Sequence, residues 1–270
     1  MPWRSGVRRT VGAACLLLGA GPAAASSYLL SEGEVYYRGV LGQSQASAAW
    51  DADGTLADLG CNARRTTFDN SLEWGESYWY TLYGRLGLTE ARCAERTRQG
   101  LGDLTVGARG RLNRYANYRA WEIDATVPLQ RGAESVGCGV YGVGGNLERS
   151  DRTPYLVVSY GGGVQLWQAP LAHRLRLQAQ AGGPLGVEGI TPWSWQLGLS
   201  GETSLVDRPV DPQAHLDDCG TQSRQLRAGT GLRYRYARGI TLGCTFDATL
   251  AGADVNRTLG LSCGYSYLWD

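Results

Sequence analysis

The stretch Arg174–Ala181 reads RLRLQAQA and decides the fold. Its arginines and glutamines alternate with leucines and alanines, so one face of an extended chain is polar and the other is apolar. Side chains of a β-strand point alternately to two faces, whereas those of a helix repeat about every 3.6 residues. The stretch therefore predicts a β-strand with one polar and one apolar face.

The same alternation continues along the chain in both directions. Asp103–Asn113 (DLTVGARGRLN) and Ala120–Leu129 (AWEIDATVPL) show it clearly. Eleven such segments can be recognised, at 33–50, 61–75, 78–91, 101–113, 118–130, 153–167, 173–184, 193–205, 222–237, 239–250 and 257–269. This pattern predicts an all-β protein.

The length of these segments favours a membrane barrel over a soluble secreted β-sandwich. Sandwich strands usually have about five or six residues, whereas these have about ten to fourteen, enough for a tilted strand to cross hydrocarbon. Aromatic residues collect at the segment ends, as in the girdles of outer-membrane barrels: Tyr36, Tyr37, Trp50, Trp74, Tyr78, Trp79, Tyr80, Trp167, Trp193, Trp195, Tyr265, Tyr267 and Trp269. We therefore predict a transmembrane antiparallel up-and-down β-barrel.

The number of strands follows from parity. Bacterial single-chain barrels have an even number of strands, with both termini expected on the periplasmic side. Counting strands inward from each terminus places the loops 130–152 and 206–221 on the outer side of the membrane. Two loops on the same side must be separated by an even number of strands, but only three strands can be recognised between them. We predict twelve strands, one of them hidden in 130–152 or 184–221; ten strands is the alternative, if one of the three is not a strand.

The first residues have the pattern of a secretory signal. Arg4, Arg8 and Arg9 precede the short apolar run Val11–Gly21, and small residues at 23–25 allow cleavage before Ser26. We predict a signal peptide at 1–25 and a single barrel domain at 26–270 in the outer membrane of a Gram-negative bacterium. Strand pattern begins almost directly after Ser26, which predicts no N-terminal plug.

Composition excludes several other classes of protein. Of the 270 residues, 43% are hydrophobic and 19% are charged, a balance unlike that of disordered chains. The net charge of +1 gives no excess of positive charge that would favour binding to nucleic acid. No phosphate-binding loop, nucleotide fingerprint or metal-ligand spacing occurs, so we expect no cofactor and no metal.

The cysteines predict disulfide bonds. Beyond Cys15 in the signal, six remain: Cys61, Cys93, Cys138, Cys219, Cys244 and Cys263. An even number in a secreted chain suggests bridges, with fifteen conceivable pairings. The turn at 252–255 places Cys244 opposite Cys263, and the hairpin around 76–77 places Cys61 opposite Cys93. Cys138 and Cys219 remain, one in each long outer loop; the alternative is that some cysteines are free.

Three stretches resemble a known family of outer-membrane proteins. They are Trp50–Gly60 (WDADGTLADLG), Gly100–Leu112 (GLGDLTVGARGRL) and the C-terminal stretch Tyr234–Trp269. They are similar to proteins described as transporters of the MetA-pathway of phenol degradation, distant relatives of fatty-acid and aromatic-hydrocarbon channels. The resemblance implies a barrel that transports solutes. The chain departs from the family in its cysteines, in Asp270 after the terminal aromatic residue, and in lacking room for the plug of the fatty-acid channels.

The polar faces of the strands predict what lines the barrel. The candidate lumen residues are Arg85, Arg109, Arg111, Glu122, Asp124, Arg174, Arg176, Arg227, Arg233, Arg235 and Asp247. Eight arginines against three acids favour anionic or acidic aromatic solutes. We therefore predict an outer-membrane channel for small solutes. The alternatives are a barrel sealed by arginine–carboxylate networks and an interaction barrel whose outer loops hold envelope proteins.

An enzyme is the remaining class. Barrel lipases need a histidine base beside a serine nucleophile. The chain has two histidines. His173 is followed by Arg174-Leu175 and His215 by Leu216-Asp217, so no serine follows closely after either one. We therefore expect no enzymatic activity, and expect membrane lipid and a small solute as partners.

Overall fold

The computed structural model describes residues 29–113, 118–130, 136–169, 171, 173–186, 191–205 and 224–269. The strands are β1 (Val35–Trp50), β2 (Leu56–Ser77), β3 (Tyr80–Cys93), β4 (Arg96–Leu101), β5 (Leu104–Arg111), β6 (Tyr118–Val127), β7 (Gly142–Arg152), β8 (Val157–Trp167), β9 (Arg174–Pro184), β10 (Trp193–Ser204), β11 (Arg224–Ala237), β12 (Ile240–Ala253), β13 (Val255–Asn256) and β14 (Leu259–Trp269). The signal predicted at 1–25, the loop 206–221 and His215 lie outside the described residues.

These segments form a closed antiparallel barrel. Each strand pairs with its neighbours in chain order, and β1 pairs with both β2 and β14, which closes the sheet. The segments β4 and β5 both pair with β3 and together make one barrel strand, as β13 and β14 do beside β1. The described residues therefore contain twelve barrel strands, which confirms the predicted number.

The strand that the parity rule requires is β7. It occupies Gly142–Arg152, inside the segment 130–152 that the sequence pattern assigned to a loop. That assignment was wrong over those residues, and the outer connection between β6 and β7 is correspondingly shorter. The start of the predicted segment 153–167 is also corrected, because Thr153–Leu156 form a turn before β8.

The two ends of the barrel have different connections. At the end that carries Val35 and Trp269, β2 and β3 are joined by two residues, as are β11 and β12. The longest connections, between β6 and β7 and between β10 and β11, lie at the opposite end. Outer-membrane barrels have short periplasmic turns and long outer loops. The first end is therefore periplasmic, and the barrel lies in the bacterial outer membrane.

Apolar side chains cover the outside of the barrel. Leu72, Ile123 and Leu147 are more than half exposed, as expected of side chains that contact lipid rather than a packed core. Aromatic residues gather near the periplasmic ends of the strands, where Tyr37 lies 5.7 Å from Tyr265 and Trp193 lies 4.8 Å from Tyr234 between ring centroids. Among the described residues, no helix is long and apolar enough to span a bilayer.

Two predicted girdle residues face the interior instead: Tyr36, which pairs with the inward Glu73, and Trp167. Trp167 is buried and pairs with Gly142, where a Cβ atom would lie 2.5 Å from the indole ring. Trp167 therefore packs inside the outer end of the barrel, on a glycine that leaves room for it.

Two disulfide bonds connect neighbouring strands. Cys61 and Cys93 are bonded across β2 and β3, with a Cα–Cα distance of 5.7 Å. Cys244 and Cys263 are directly paired in register across β12 and β14 and are bonded, with a Cα–Cα distance of 3.9 Å. Cys138 is also disulfide-bonded; Cys219, its expected partner, lies outside the described residues.

Candidate functional site

The candidate site is the interior of the barrel. Residues opposite each other in a β-ladder share a face, so the register can be followed from strand to strand. Arg109 pairs with Thr81 on one side and Glu122 on the other, whereas the outward Leu82 and Ile123 pair with Ala108 between them. Followed in this way around the barrel, the register places all eleven predicted lumen residues on the inward face.

The register adds inward residues that the alternation did not reveal. Arg38 and Arg65 on β1 and β2 are among them, as are the acids Asp69, Glu73, Glu148 and Glu202. Glu148 was missed because β7 was not recognised, and Glu73 because β2 lacks strict alternation. The excess of arginine over acid is therefore smaller than the sequence suggested.

A buried ion pair ties three strands together at one wall. Arg109 on β5 donates to the carboxylate of Glu73 on β2, across β3, and is 3% exposed. Between them on β3 lies Thr81, which is fully buried. A buried arginine requires a carboxylate partner because an unpaired buried charge is costly.

Tyr83 and Glu122 extend this network toward β6. The Tyr83 hydroxyl donates to Glu122 at 2.8 Å, and Arg85 lies 3.5 Å from the same carboxylate oxygen. Tyr83 reaches β6 across Gly107, where a Cβ atom would lie 2.6 Å from the phenol ring. The guanidinium of Arg85 lies 4.5 Å from the Tyr83 ring centroid, a cation–π contact.

Two more ion-pair groups lie toward the outer end of the interior. Glu202 on β10 accepts from Arg174 at 2.6 Å and from Arg176 at 3.2 Å, both on β9. On the next wall, Arg227 donates to Asp247 at 2.8 Å, and Asp247 is 1% exposed. Arg85, Arg109, Arg174, Arg176 and Arg227 all therefore have carboxylate partners.

Three inward arginines differ from these. Arg38, Arg233 and Arg235 form no salt bridge with any acid of the described residues, and the last two are exposed to the interior. They lie on one wall, built from β1, β14, β12 and β11. The remaining predicted lumen arginine, Arg111, lies over the Tyr78 ring at 4.7 Å from its centroid.

Open space lies next to these arginines. Arg38, Arg233 and Arg227 line a cavity of about 80 Å³, together with Glu148 on β7. Arg38 also lines a second cavity of about 260 Å³ beside Asp69 and Arg85. A third, of about 290 Å³, lies at the periplasmic end and includes Arg235.

Both ends of the interior carry a segment that reaches inward. At the periplasmic end, Leu29 is buried and the Leu30 amide donates to the Thr81 hydroxyl at 3.1 Å. At the outer end, the Cys138 amide donates to the carboxylate of Asp103. Gly137 lies against the same carboxylate, because a Cβ atom there would be 2.3 Å from Asp103 Oδ1. These contacts narrow the two mouths of the barrel.

The site has no features of a metal or catalytic centre in the part of the chain that is described. No group of three or more His, Cys, Asp or Glu side chains there is arranged to hold a metal ion. His173 accepts a hydrogen bond from the Trp167 amide at 3.2 Å, where it joins the end of β8 to the connection before β9. This is a structural role.

Three similar solved structures are barrels from bacterial envelopes. An outer-membrane channel of Pseudomonas putida F1 has a TM-score of 0.73 at 15% identity, covering 91% of this chain and 99% of that chain. The β-domain of the Bordetella autotransporter BrkA has a TM-score of 0.53 at 16% identity, covering 88% of this chain and 100% of that one. The translocator domain of the autotransporter NalP from Neisseria meningitidis has a TM-score of 0.52 at 13% identity, covering 88% and 89%.

These similarities concern the fold. No protein-family model matches the sequence, and no curated protein matches it. At such low identity the likeness shows the architecture alone, which confirms the outer-membrane β-barrel fold. The three structures are described as a channel and two autotransporter domains.

Proposed function

We propose that the protein is an outer-membrane channel for small hydrophilic solutes. The observation that carries this proposal is the combination of a closed barrel with an inward face that is charged and interior cavities of about 80, 260 and 290 Å³. A barrel whose interior served only for packing would fill that space with side chains. The similar channel from Pseudomonas putida F1 adds support from the fold.

The solutes that we propose are anions. Arg38, Arg233 and Arg235 present positive charge to the open interior, whereas most of the inward carboxylates are engaged by the paired arginines. Rings and patches of fixed charge set the selectivity of a pore for ions of opposite sign. We propose polar rather than aromatic anions, because glutamine, serine and threonine side chains are among the residues that line the cavity.

A sealed structural barrel is the second candidate. The observation that favours it is the network of arginine–carboxylate pairs, together with Leu29 and Leu30 at the periplasmic mouth. Such a barrel would serve as a subunit of an envelope complex, with its outer connections as the contact surface. Measurements of ion flow separate this candidate from a channel.

Single-channel recording in planar lipid bilayers tests the proposal. We expect the purified, refolded protein to give discrete conductance steps. In a KCl gradient, the reversal potential is expected to show greater permeability for chloride than for potassium. Protein that was heat-denatured before addition is the control. An absence of conductance, or a preference for cations, would refute the proposed anion channel.

A further inference from the structure

The three arginines without carboxylate partners occupy a compact part of the barrel wall. One row of the ladder runs from Arg38 through Ser266 and Thr241 to Arg235. The next row runs from Val40 through Gly264 and Gly243 to Arg233. From β1 to β11 the two rows hold three positive charges and no acid; the second row continues on β2 with Asp69.

The glycines of the second row let Arg233 lie across the wall. A Cβ atom at Gly243 would be 3.2 Å from Cγ of Arg233, so the stem of this arginine lies over the glycine. Gly264, the next residue of the row, has no side chain either. No side chain therefore separates Arg233 from the Arg38 side of the cavity that both line.

Acids on the neighbouring strands point to other partners. Asp247 is bound to Arg227 and lies over Gly260, where a Cβ atom would be 2.8 Å from its carboxylate. Asp69 on β2 leans the other way, toward β3, because a Cβ atom at Gly87 would be 2.5 Å from its carboxylate. Neither acid neutralises the three arginines.

Glu148 is the acid that faces the arginines across the cavity. It lines the same cavity from β7, which lies five strands from β1 in one direction around the barrel and seven in the other. The arginines and Glu148 therefore stand on opposite walls. A solute between them would meet positive charge on one side only.

From this arrangement we infer that Arg38 and Arg233 form an oxyanion-binding site for small hydroxylated carboxylates, with Arg235 on the neighbouring periplasmic cavity. The site rests on the proposed function, since it lies in the path that solutes would take. Guanidinium groups bind carboxylates through paired hydrogen bonds. Gln196 binds the rest of such a solute: its Nε2 donates to Thr245 at 3.0 Å, while its buried Oε1 has no partner among the described residues and can accept from a hydroxyl group.

The probe for this site is gluconate, a carboxylate with several hydroxyl groups, and sorbitol is the matched uncharged polyol. We expect gluconate, but not sorbitol, to block the chloride current through the wild-type channel. In the double variant Arg38→Gln/Arg233→Gln, the concentration for half block should rise at least about tenfold, because the paired hydrogen bonds to the carboxylate are lost. Arg233→Lys should give an intermediate block. Arg64→Gln, on the outward face of β2, should behave as wild type.

Calorimetric titration of gluconate into the detergent-solubilised protein gives a second readout that does not depend on conduction. Binding to the wild type that is lost in the double variant supports the site, even if no current is seen and the channel proposal fails. Wild-type protein that conducts but neither binds gluconate nor is blocked by it overturns the site and leaves the channel standing. Equal binding by the wild type and the double variant, with both folded, also overturns it.

Discussion

The interior of this barrel contains arginines of two kinds. Arg109 is almost completely buried and is held by Glu73, whereas Arg38 and Arg233 face open space without an acid. In the first kind a carboxylate neutralises the guanidinium charge, so the arginine serves to hold strands together. In the second kind the charge remains available to a solute. The same residue type therefore stabilises one wall and is proposed to bind ligands at another.

Glu73→Gln is expected to destabilise the barrel. The amide cannot supply the negative charge that Arg109 requires in its buried position, and breaking a buried pair from one side costs about 3–5 kcal/mol. Urea unfolding in detergent micelles, followed by tryptophan fluorescence, measures the change in the free energy of unfolding.

Glu90→Gln is the matched control for that measurement. Glu90 pairs with Arg92, whose side chain is 64% exposed, and exposed pairs contribute about 0–1 kcal/mol. Equal losses of stability in the two variants would show that burial does not set the strength of the Glu73–Arg109 pair.

At the scale of the strand, alternation reveals an element only where large side chains mark both faces. In β9 every outward position from 175 to 181 is leucine or alanine, and the strand could be predicted directly. In β7 the inward positions 142 and 144 are glycines, and Val143 and Leu147 are the only large apolar outward residues. Those glycines have a physical reason, since Trp167 packs on Gly142 and Asp124 lies over Gly144.

The ion pairs were harder to predict from the sequence than the strands. Alternation predicts that Arg109 faces inward, but Glu73 lies 36 residues away and reaches it across an intervening strand. Such a contact depends on the closure of the barrel and on the register of two ladders. The cysteine pair 244–263 was predictable because the turn fixes the register that places the two residues opposite each other. The pair 61–93 was predictable because it joins adjacent strands of one hairpin, although the β2–β3 ladder has Arg64 opposite Arg92 and so does not place Cys61 directly opposite Cys93.

Leu147→Arg tests whether β7 crosses the membrane with this face toward lipid. Leu147 is 61% exposed, and an arginine on the lipid face near the midplane costs about 2–4 kcal/mol. We expect a loss of that size in urea unfolding of protein reconstituted in phospholipid vesicles. Asn146→Arg, on the inward face beside Glu122, is the control and should cost far less. A larger loss of stability from Asn146→Arg than from Leu147→Arg would contradict this orientation of β7.

At the scale of the whole molecule, charge divides the interior into opposing walls. Arg38 and Arg233 stand on one side of the central cavity, and Glu148 stands on the other. The paired arginines and the narrowed mouths limit the bore, while the cavity keeps its centre open. Conduction along this path depends on the volume of the central cavity as well as on the charge of the walls.

Gly198→Trp is expected to reduce the single-channel conductance by at least about half, because an indole ring occupies much of a bore of this strand number. Gly198 lines the central cavity of about 80 Å³, and a Cβ atom there would meet nothing within 4 Å, so the substitution adds volume without a backbone clash. Gly84→Trp is the matched control: a Cβ atom at Gly84 also meets nothing within 4 Å, but its ladder partners Leu72 and Val106 face lipid. Planar-bilayer recording should therefore show wild-type steps for Gly84→Trp and smaller steps for Gly198→Trp. Full conductance in both variants would mean that ions do not pass through this cavity.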